Sequence, residues 1–206
     1  SAGFDPALRA SLEAQIANAA DELAYTAHDL DDGLRSGMIG ANALAGVALW
    51  ERITQQVGWR GGAFDELTRH EVIRELIGFE ITSLLDSTSR AIEESGVRTP
   101  EDVQRLDHNL VAYTPQLDAE NRQLREFLFK NLYRHPRVVR MAQKAERIVA
   151  ELFKAYRAEP AILPEHIQEL IPERGLERTI CDYIAGMTDR FAVEEHRKLF
   201  DPQVLP

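Results

Sequence analysis

The stretch Asp21–Gly33 brings carboxylates, a phenol and an imidazole together within a short run of the chain. On a helix, with about 100° between successive residues, the side chains of Tyr25, His28, Asp29 and Asp32 lie within roughly 80° of Asp21. Such a face has the groups to hold a cation or to hydrogen bond a polar substrate. Three aspartates on one face also repel each other unless a partner offsets their charge. A solvated acidic face is the alternative that this spacing leaves open.

The opposite side of the same helix is apolar. It carries Leu8, Leu12, Ile16, Leu23, Leu30 and Leu34, which form a stripe that docks onto a core. Upstream of Asp21 the polar face has small residues, namely Ala10, Ala14, Ala17 and Asn18. Small side chains let another backbone approach, so we expect this face to be covered as well.

Composition narrows the class of protein. The 206 residues are 44% hydrophobic and include a single cysteine, Cys181, which excludes a disulfide framework and which we expect in the core. The net charge of −10 lies in the first half, because residues 1–103 hold eighteen acidic and eight basic residues. No apolar run reaches the length of a membrane-spanning helix, so we expect a soluble, cytoplasmic protein with no membrane partner.

The periodicity predicts an all-α fold, because no stretch shows the alternation of a strand. Asp5–Pro6 is typical of a helix start, and we expect that helix to stop at Gly33. Further helices are predicted over 41–57, 64–94, 118–133, 136–156 and 176–199, with turns at 36–40 and 58–62 and short helices after Thr99 and Pro164. Ile171–Pro172 is expected to end the latter. The segment Gly96–Pro100 is the best candidate for a domain boundary.

Three motifs resemble the deoxyguanosinetriphosphate triphosphohydrolase-like proteins of the HD superfamily. They are Ala20–Gly33, the middle segment Leu124–Pro136 and the C-terminal segment Arg178–Ala192. The resemblance covers nearly the whole chain in one order. It implies a multi-helix HD-domain-like bundle portion, residues 1–97, as the C-terminal portion of the catalytic domain, followed by a C-terminal helical region, residues 98–206.

The resemblance also implies roles for three residues of the first motif. Asp21 matches the last ligand of the family's divalent metal (Mg, Mn or similar), while Tyr25 and Asp29 match positions that face the nucleotide. No histidine precedes Asp21 in the chain, and the other metal ligands of the family lie upstream. We therefore expect this chain to be a fragment that neither holds the metal nor hydrolyses nucleotide alone.

For the whole protein, the resemblance implies a metal-dependent triphosphohydrolase that converts dGTP or another deoxynucleoside triphosphate to deoxynucleoside and triphosphate. It also implies that this protein assembles as a homo-oligomer. The alternative is a non-catalytic helical module for self-association or for binding nucleic acid. Its main support is a basic run, which comprises Lys130, Arg134, Arg137, Arg140, Lys144 and Arg147. A solvated face is the favoured explanation of this run, and contact with nucleotide phosphates or single-stranded nucleic acid is the functional alternative.

Aromatic and apolar residues near these motifs are predicted to be core. They are Phe127, Phe129 and Tyr133 beside the basic run, and Ile180, Ile184, Met187 and Phe191 in the C-terminal motif. Asp182, Asp189 and Arg190 are expected to face outwards or to form a buried ion pair.

Overall fold

Helices account for all the regular secondary structure in residues 8–204, the part of the chain that the computed structural model describes. The all-α fold predicted from the sequence is therefore confirmed. By its internal contacts the chain divides into two compact units, residues 1–135 and residues 136–206. Each unit has a hydrophobic core of its own.

Three long helices frame the first unit: α1 (Leu12–Arg35), α3 (Glu66–Ser95) and α5 (Pro115–Leu128). The shorter helices are α2 (Ala48–Val57) and α4 (Pro100–Gln104), with a 3-10 turn at Ala41–Leu44 and a π-helical turn at Phe129–Tyr133 that continues α5. Both α1 and α2 pack against α3 and α5. Their shared core includes Ala27, Leu30, Leu49, Ile53, Val72, Leu76, Leu124 and Leu128.

Helix α1 begins and ends later than the sequence predicted. Ser11 caps it, with its hydroxyl accepting a hydrogen bond from the backbone N–H of Ala14 at 3.3 Å. Residues 8–11 precede α1, so the prediction of one unbroken helix from Asp5–Pro6 is wrong in these residues, and the Asp5–Pro6 cap itself lies outside the described residues. Gly33 does not stop the helix either. It is buried within α1, and a Cβ there would lie 2.7 Å from Cδ1 of Ile39, so the following turn packs where a side chain would be.

Other predicted bounds hold more closely. Gly58 and Gly96 take the left-handed conformation that ends α2 and α3, and a capping box at Thr99 starts α4. The single helix predicted over 41–57 is wrong in part, because the 3-10 turn and residues 45–47 precede α2.

The second unit is built on α6 (Pro136–Ala158), against which α9 (Leu176–Ala185) and α10 (Asp189–Phe200) pack. Between them lie a 3-10 turn (Pro160–Ile162), α7 (Glu165–Gln168) and α8 (Ile171–Arg174). The core of this unit consists of Leu152, Tyr156, Leu163 and Ile180.

Two sequence predictions fail in the second unit. The helix expected over 176–199 is two helices, since Gly186 follows α9 and the Thr188 hydroxyl caps α10. Ile171 and Pro172 start α8 instead of ending a helix, because proline fits the first turn of a helix.

By contacts, the chain divides between His135 and Pro136. The sequence predicted a different boundary, between residues 97 and 98, which separates the portion assigned to a catalytic domain from the C-terminal helical region. That assignment stays a prediction. Across residues 8–204, no helix combines the length and the apolar character that crossing a membrane requires.

Candidate functional site

A surface pocket of about 570 Å³ lies between α1, α5 and the π-helical turn of the first unit. We call it the α1–α5 pocket. Its lining comprises Tyr25, Thr26 and Asp29 from α1, and Arg122, Arg125, Glu126, Leu128, Phe129, Lys130 and Tyr133 from the other two elements. The size is that of a site for a small organic molecule.

Helix α1 delivers its two pocket-facing polar groups from successive turns. The core contacts of Ala27 and Leu30 fix the rotation of the helix, and the buried Thr26 hydroxyl donates to the carbonyl of Glu22 at 2.9 Å. Tyr25 and Asp29, four residues apart, then point to the same side. The Tyr25 side chain is 62% exposed, so its hydroxyl is available to a bound molecule.

Asp29 lines this pocket and has one carboxylate oxygen without a hydrogen-bond partner among the described residues. Its Oδ2 is buried and has no hydrogen-bond partner within the described residues. Burial raises the pKa of the Asp29 carboxyl, the charge of Asp32 raises it further, and His28 lowers it. The Asp29 carboxylate can accept a hydrogen bond from a ligand hydroxyl or amine once its side chain turns this oxygen towards the pocket.

Three cationic side chains, Arg122, Arg125 and Lys130, line the pocket together with the carboxylates of Asp29 and Glu126. Arg122 is paired with Asp118 at 3.0 Å, and Arg125 is paired with Glu22 at 2.5 Å. Lys130 is exposed and has no ion pair among residues 8–204. With Asp118 and Glu22 counted, four carboxylates surround the three cations, so Lys130 is the lining cation that stays available to an anionic ligand.

The π-helical turn explains how the residues after Leu128 reach the pocket. A π turn takes about one extra residue per turn, so it shifts the face that an α-helix would present. Here Phe129, Lys130 and Tyr133 all line the pocket, and the rings of Phe129 and Tyr133 lie 6.4 Å apart. The prediction that Phe129 is core is wrong, because it is 59% exposed, whereas Phe127 and Tyr133 pack partly against the core. An exposed ring beside an anion-binding group suits a ligand with both a flat and a charged part.

Asp21, the predicted metal ligand, lies one turn before Tyr25 and is exposed. No three His, Cys, Asp or Glu side chains of the described ranges come together as a metal site. A hydrolytic divalent metal requires three or more protein ligands. Asp21 therefore has no further His, Cys, Asp or Glu pair beside it among the described residues to complete a metal site, and its role as a metal ligand stays a prediction.

The first motif is divided by the structure. Tyr25 and Asp29 enter the pocket together, while His28 is exposed and outside its lining. Asp31 pairs with the buried Arg69 of α3, and Asp32 pairs with Arg35 on the surface at 2.8 Å. The sequence did not predict Arg122 or Arg125 as site residues. Lys130 and Tyr133 were identified only as part of the basic run and of the aromatic residues beside it.

The remaining candidates lie in the second unit. Arg137, Arg140, Lys144 and Arg147 are all exposed on α6. Ile180 is fully buried and Ile184 and Met187 pack against it as predicted, but Phe191 is 40% exposed. Asp182 is partly exposed and pairs with Arg178 at 2.8 Å. Cys181 is exposed, so its prediction as core is wrong.

Comparison with known proteins gives consistent matches. The model of the phosphohydrolase-associated domain matches residues 111–198. A deoxyguanosinetriphosphate triphosphohydrolase-like protein of Geobacter sulfurreducens is 44% identical over 97% of this chain and 52% of its own length. A like-named protein 1 of Deinococcus radiodurans is 44% identical over 92% of the chain and 51% of its length. One from Azoarcus sp. is 45% identical over 92% and 50%. The chain spans about half the length of the curated relatives it matches.

Proposed function

We propose a function from the premise that this chain is homologous to the deoxyguanosinetriphosphate triphosphohydrolase-like proteins over nearly its whole length. The resemblance predicted from the motifs is thereby confirmed, and a relation to phosphohydrolases follows. The whole protein, in this proposal, hydrolyses a deoxynucleoside triphosphate to deoxynucleoside and triphosphate. The share of this chain is to bind and orient the nucleotide in the α1–α5 pocket.

The single observation that carries the proposal is the meeting of Tyr25 and Asp29 with Arg125 and Lys130 in one pocket. The motif resemblance independently predicts that Tyr25 and Asp29 face a nucleotide. The cations are suited to phosphate oxygens, because charge-assisted hydrogen bonds to phosphate are among the strong ones. The unsatisfied Oδ2 of Asp29 is suited to a sugar hydroxyl.

The aromatic side chains complete the assignment. Tyr25 and Phe129 are both largely exposed and border the same pocket, where a flat base can lie against a ring. In this arrangement the phosphates lie towards Arg125 and Lys130, and the sugar lies near Asp29. A phenol hydroxyl at Tyr25 can donate to a phosphate or to the sugar.

The metal enters this proposal only through Asp21. We assign its exposed carboxylate as one ligand of a divalent ion whose other ligands come from outside this chain. The isolated chain is accordingly expected to release no triphosphate from any deoxynucleoside triphosphate. Release by the purified chain, abolished by a chelator, contradicts this assignment.

Calorimetric titration of the chain with dGTP and with deoxyguanosine tests the pocket. We expect Arg125→Gln and Lys130→Gln each to weaken dGTP binding about tenfold, since each removes a charge-assisted contact of about 1.5 kcal/mol or more. Arg105→Gln is the matched control, because Arg105 is exposed, lies outside the pocket and loses the same charge. Absence of dGTP binding, or equal loss in all three variants, rejects the pocket.

A second candidate function is a helical module that binds single-stranded nucleic acid through the exposed basic face of α6. The observation in its favour is that Arg140, Lys144 and Arg147 are all exposed at helical spacing. A salt-dependent gel shift with single-stranded DNA that Arg140→Glu with Lys144→Glu abolishes supports it. The acidic first half opposes a long polyanion, so we expect no such shift.

A further inference from the structure

Two buried polar side chains meet inside the first unit. Glu80 of α3 and Asn121 of α5 are each 2% exposed, and the Asn121 amide hydrogen bonds to the Glu80 carboxyl. One oxygen of each side chain, Oε2 of Glu80 and Oδ1 of Asn121, is buried without a hydrogen-bond partner among the described residues. Buried polar atoms are rarely left unpaired, so these two oxygens require an explanation.

A proton on Glu80 accounts for both oxygens. An ionised carboxylate only accepts hydrogen bonds, as the Asn121 oxygen does, so ionised Glu80 leaves two acceptors unpaired in the core. A protonated Glu80 can donate its O–H to Asn121 Oδ1 while the Asn121 N–H donates to the other oxygen of Glu80. The two side chains then form an acid–amide pair closed by two hydrogen bonds. Burial raises the pKa of Glu80 to about 7, which agrees with a proton at this position.

The nearby charges connect this acid–amide pair to the α1–α5 pocket. Arg125 lies one turn after Asn121 on α5 and lines the pocket. After burial and the Asn121 hydrogen bond, the charges that act on the pKa of Glu80 are those of Arg125, which lowers it, and Glu22 of α1, which raises it. The Glu22 carboxylate holds the Arg125 guanidinium at 2.5 Å. One guanidinium is therefore shared between a surface carboxylate, a buried carboxyl and the pocket.

The other polar neighbours do not replace Arg125. The Tyr113 hydroxyl is buried without a hydrogen-bond partner in the described part of the chain, so it does not donate to Glu80. Burial raises the pKa of Tyr113, and the charge of Glu80 raises it further. On the side of α2, Arg52 is paired with Glu120 of α5 at 2.5 Å. Within residues 8–204, Arg125 is the cation that an ionised Glu80 attracts.

We propose that Glu80 is a positioning residue for the α1–α5 pocket: the neutral acid–amide pair leaves Arg125 to a ligand phosphate, and the ionised carboxylate draws Arg125 towards the core. The proton that Glu80 loses passes to solvent. A phosphate on Arg125 and a proton on Glu80 thus favour each other. This coupling rests on the proposed function, which supplies the phosphate, and it is reciprocal.

NMR titration of the Glu80 carboxyl carbon tests the proton and the coupling without a ligand, and Glu80→Gln assigns the signal. We expect a midpoint near 7 in the folded chain, in place of the ordinary 4.5. Arg125→Gln should raise this midpoint and Glu22→Gln should lower it, because each removes a charge that acts on Glu80. Arg105→Gln, at an exposed position outside the pocket, should leave it unchanged. A midpoint near 4.5, or one that Arg125→Gln does not raise, overturns the proposal.

Titration with dGTP at several pH values tests the consequence for binding. Glu80→Gln fixes the neutral state, because a glutamine amide can make both hydrogen bonds to Asn121. We expect the affinity of the wild type, relative to that of Glu80→Gln, to fall about threefold or more between about pH 5 and about pH 9. The ratio cancels the titration of the dGTP phosphates themselves. Glu93→Gln, at an exposed position of α3, should follow the wild type.

The outcomes separate this proposal from the proposed function. A ratio of affinities that is constant with pH overturns the role of Glu80, although dGTP binds. Absence of dGTP binding at every pH rejects the proposed function instead. In that case the Glu80 midpoint in Arg125→Gln still decides whether the buried carboxyl and the guanidinium are coupled.

Discussion

The guanidinium of Arg125 lies 2.5 Å from the carboxylate of Glu22, so one ion pair ties α5 to α1 at the α1–α5 pocket. Both side chains are only partly buried, at 36% and 52% exposure. The pair therefore contributes little to stability. The ion pair matters for ligand binding, because a ligand phosphate and the Glu22 carboxylate compete for the guanidinium of Arg125.

Glu22→Gln should therefore strengthen binding of dGTP to the chain. Removal of the carboxylate frees Arg125 and also removes a negative charge near the phosphates, so we expect affinity to rise about threefold or more. In an Arg125→Gln background the same substitution should change affinity much less. Titration of the wild type, the two single variants and the double variant measures this coupling, with Glu13→Gln on the exposed side of α1 as control. Equal effects in both backgrounds show that Glu22 does not act through Arg125.

Asp21 and Tyr25 should separate metal from substrate in the full-length protein. We expect Asp21→Ala to lose metal and activity together, because a carboxylate ligand is removed. Tyr25→Phe should keep the metal and lower turnover by roughly ten- to a hundredfold, the value of one hydrogen bond of about 1.5–3 kcal/mol to a charged group. Metal analysis beside activity decides the matter. If Asp21→Ala retains the metal and His28→Ala loses it, the assignment of Asp21 as the metal ligand is wrong.

Neighbouring aspartates of α1 should differ sharply in their effect on stability. Asp31 pairs with Arg69, whose side chain is 7% exposed, and Arg69 also approaches His70 Nε2 at 2.8 Å. Asp31→Ala leaves that buried guanidinium with only the exposed carboxylate of Glu66, 3.8 Å away, which costs about 3 kcal/mol of unfolding free energy. Asp32→Ala removes only a surface pair and should cost less than about 1 kcal/mol. Urea unfolding compares the two, and equal losses contradict the buried pair.

The sequence predicted local features of the site better than contacts between residues far apart in the chain. The four-residue spacing of Tyr25 and Asp29 was enough to place both on one face, because helical geometry is local. Arg125 comes from a helix about a hundred residues later, and a single sequence gives no sign of which distant residues meet. The π-helical turn explains the error at Phe129, since a pattern read with 3.6 residues per turn assigns the wrong face after such a turn. The ion pair of Asp31 was not predicted either, because its partner Arg69 lies on another helix.

Glu80 of α3 should make the stability of the chain depend on pH. It is 2% exposed, and the polar groups near it are Asn121 and Arg125 of α5, Glu22 of α1 and Tyr113. Burial raises the pKa of Glu80 from 4.5 to about 7, against smaller opposing effects of the Asn121 amide and Arg125. Burial also raises the pKa of the Tyr113 phenol.

The sign of the effect follows from proton binding. Between the unfolded pKa of 4.5 and the folded pKa of about 7, the native state holds the proton more tightly than the unfolded chain. The free energy of unfolding therefore falls as pH rises through this window, by about 3 kcal/mol, and is constant above it as far as Glu80 is concerned. Glu80→Gln should remove this slope, so that its stability relative to wild type rises between about pH 5 and about pH 8. Glu93→Gln, at an exposed position of the same helix, should leave the slope as it is in the wild type. Urea unfolding across this range measures all three proteins, and an unchanged slope in Glu80→Gln rules out Glu80 as its source.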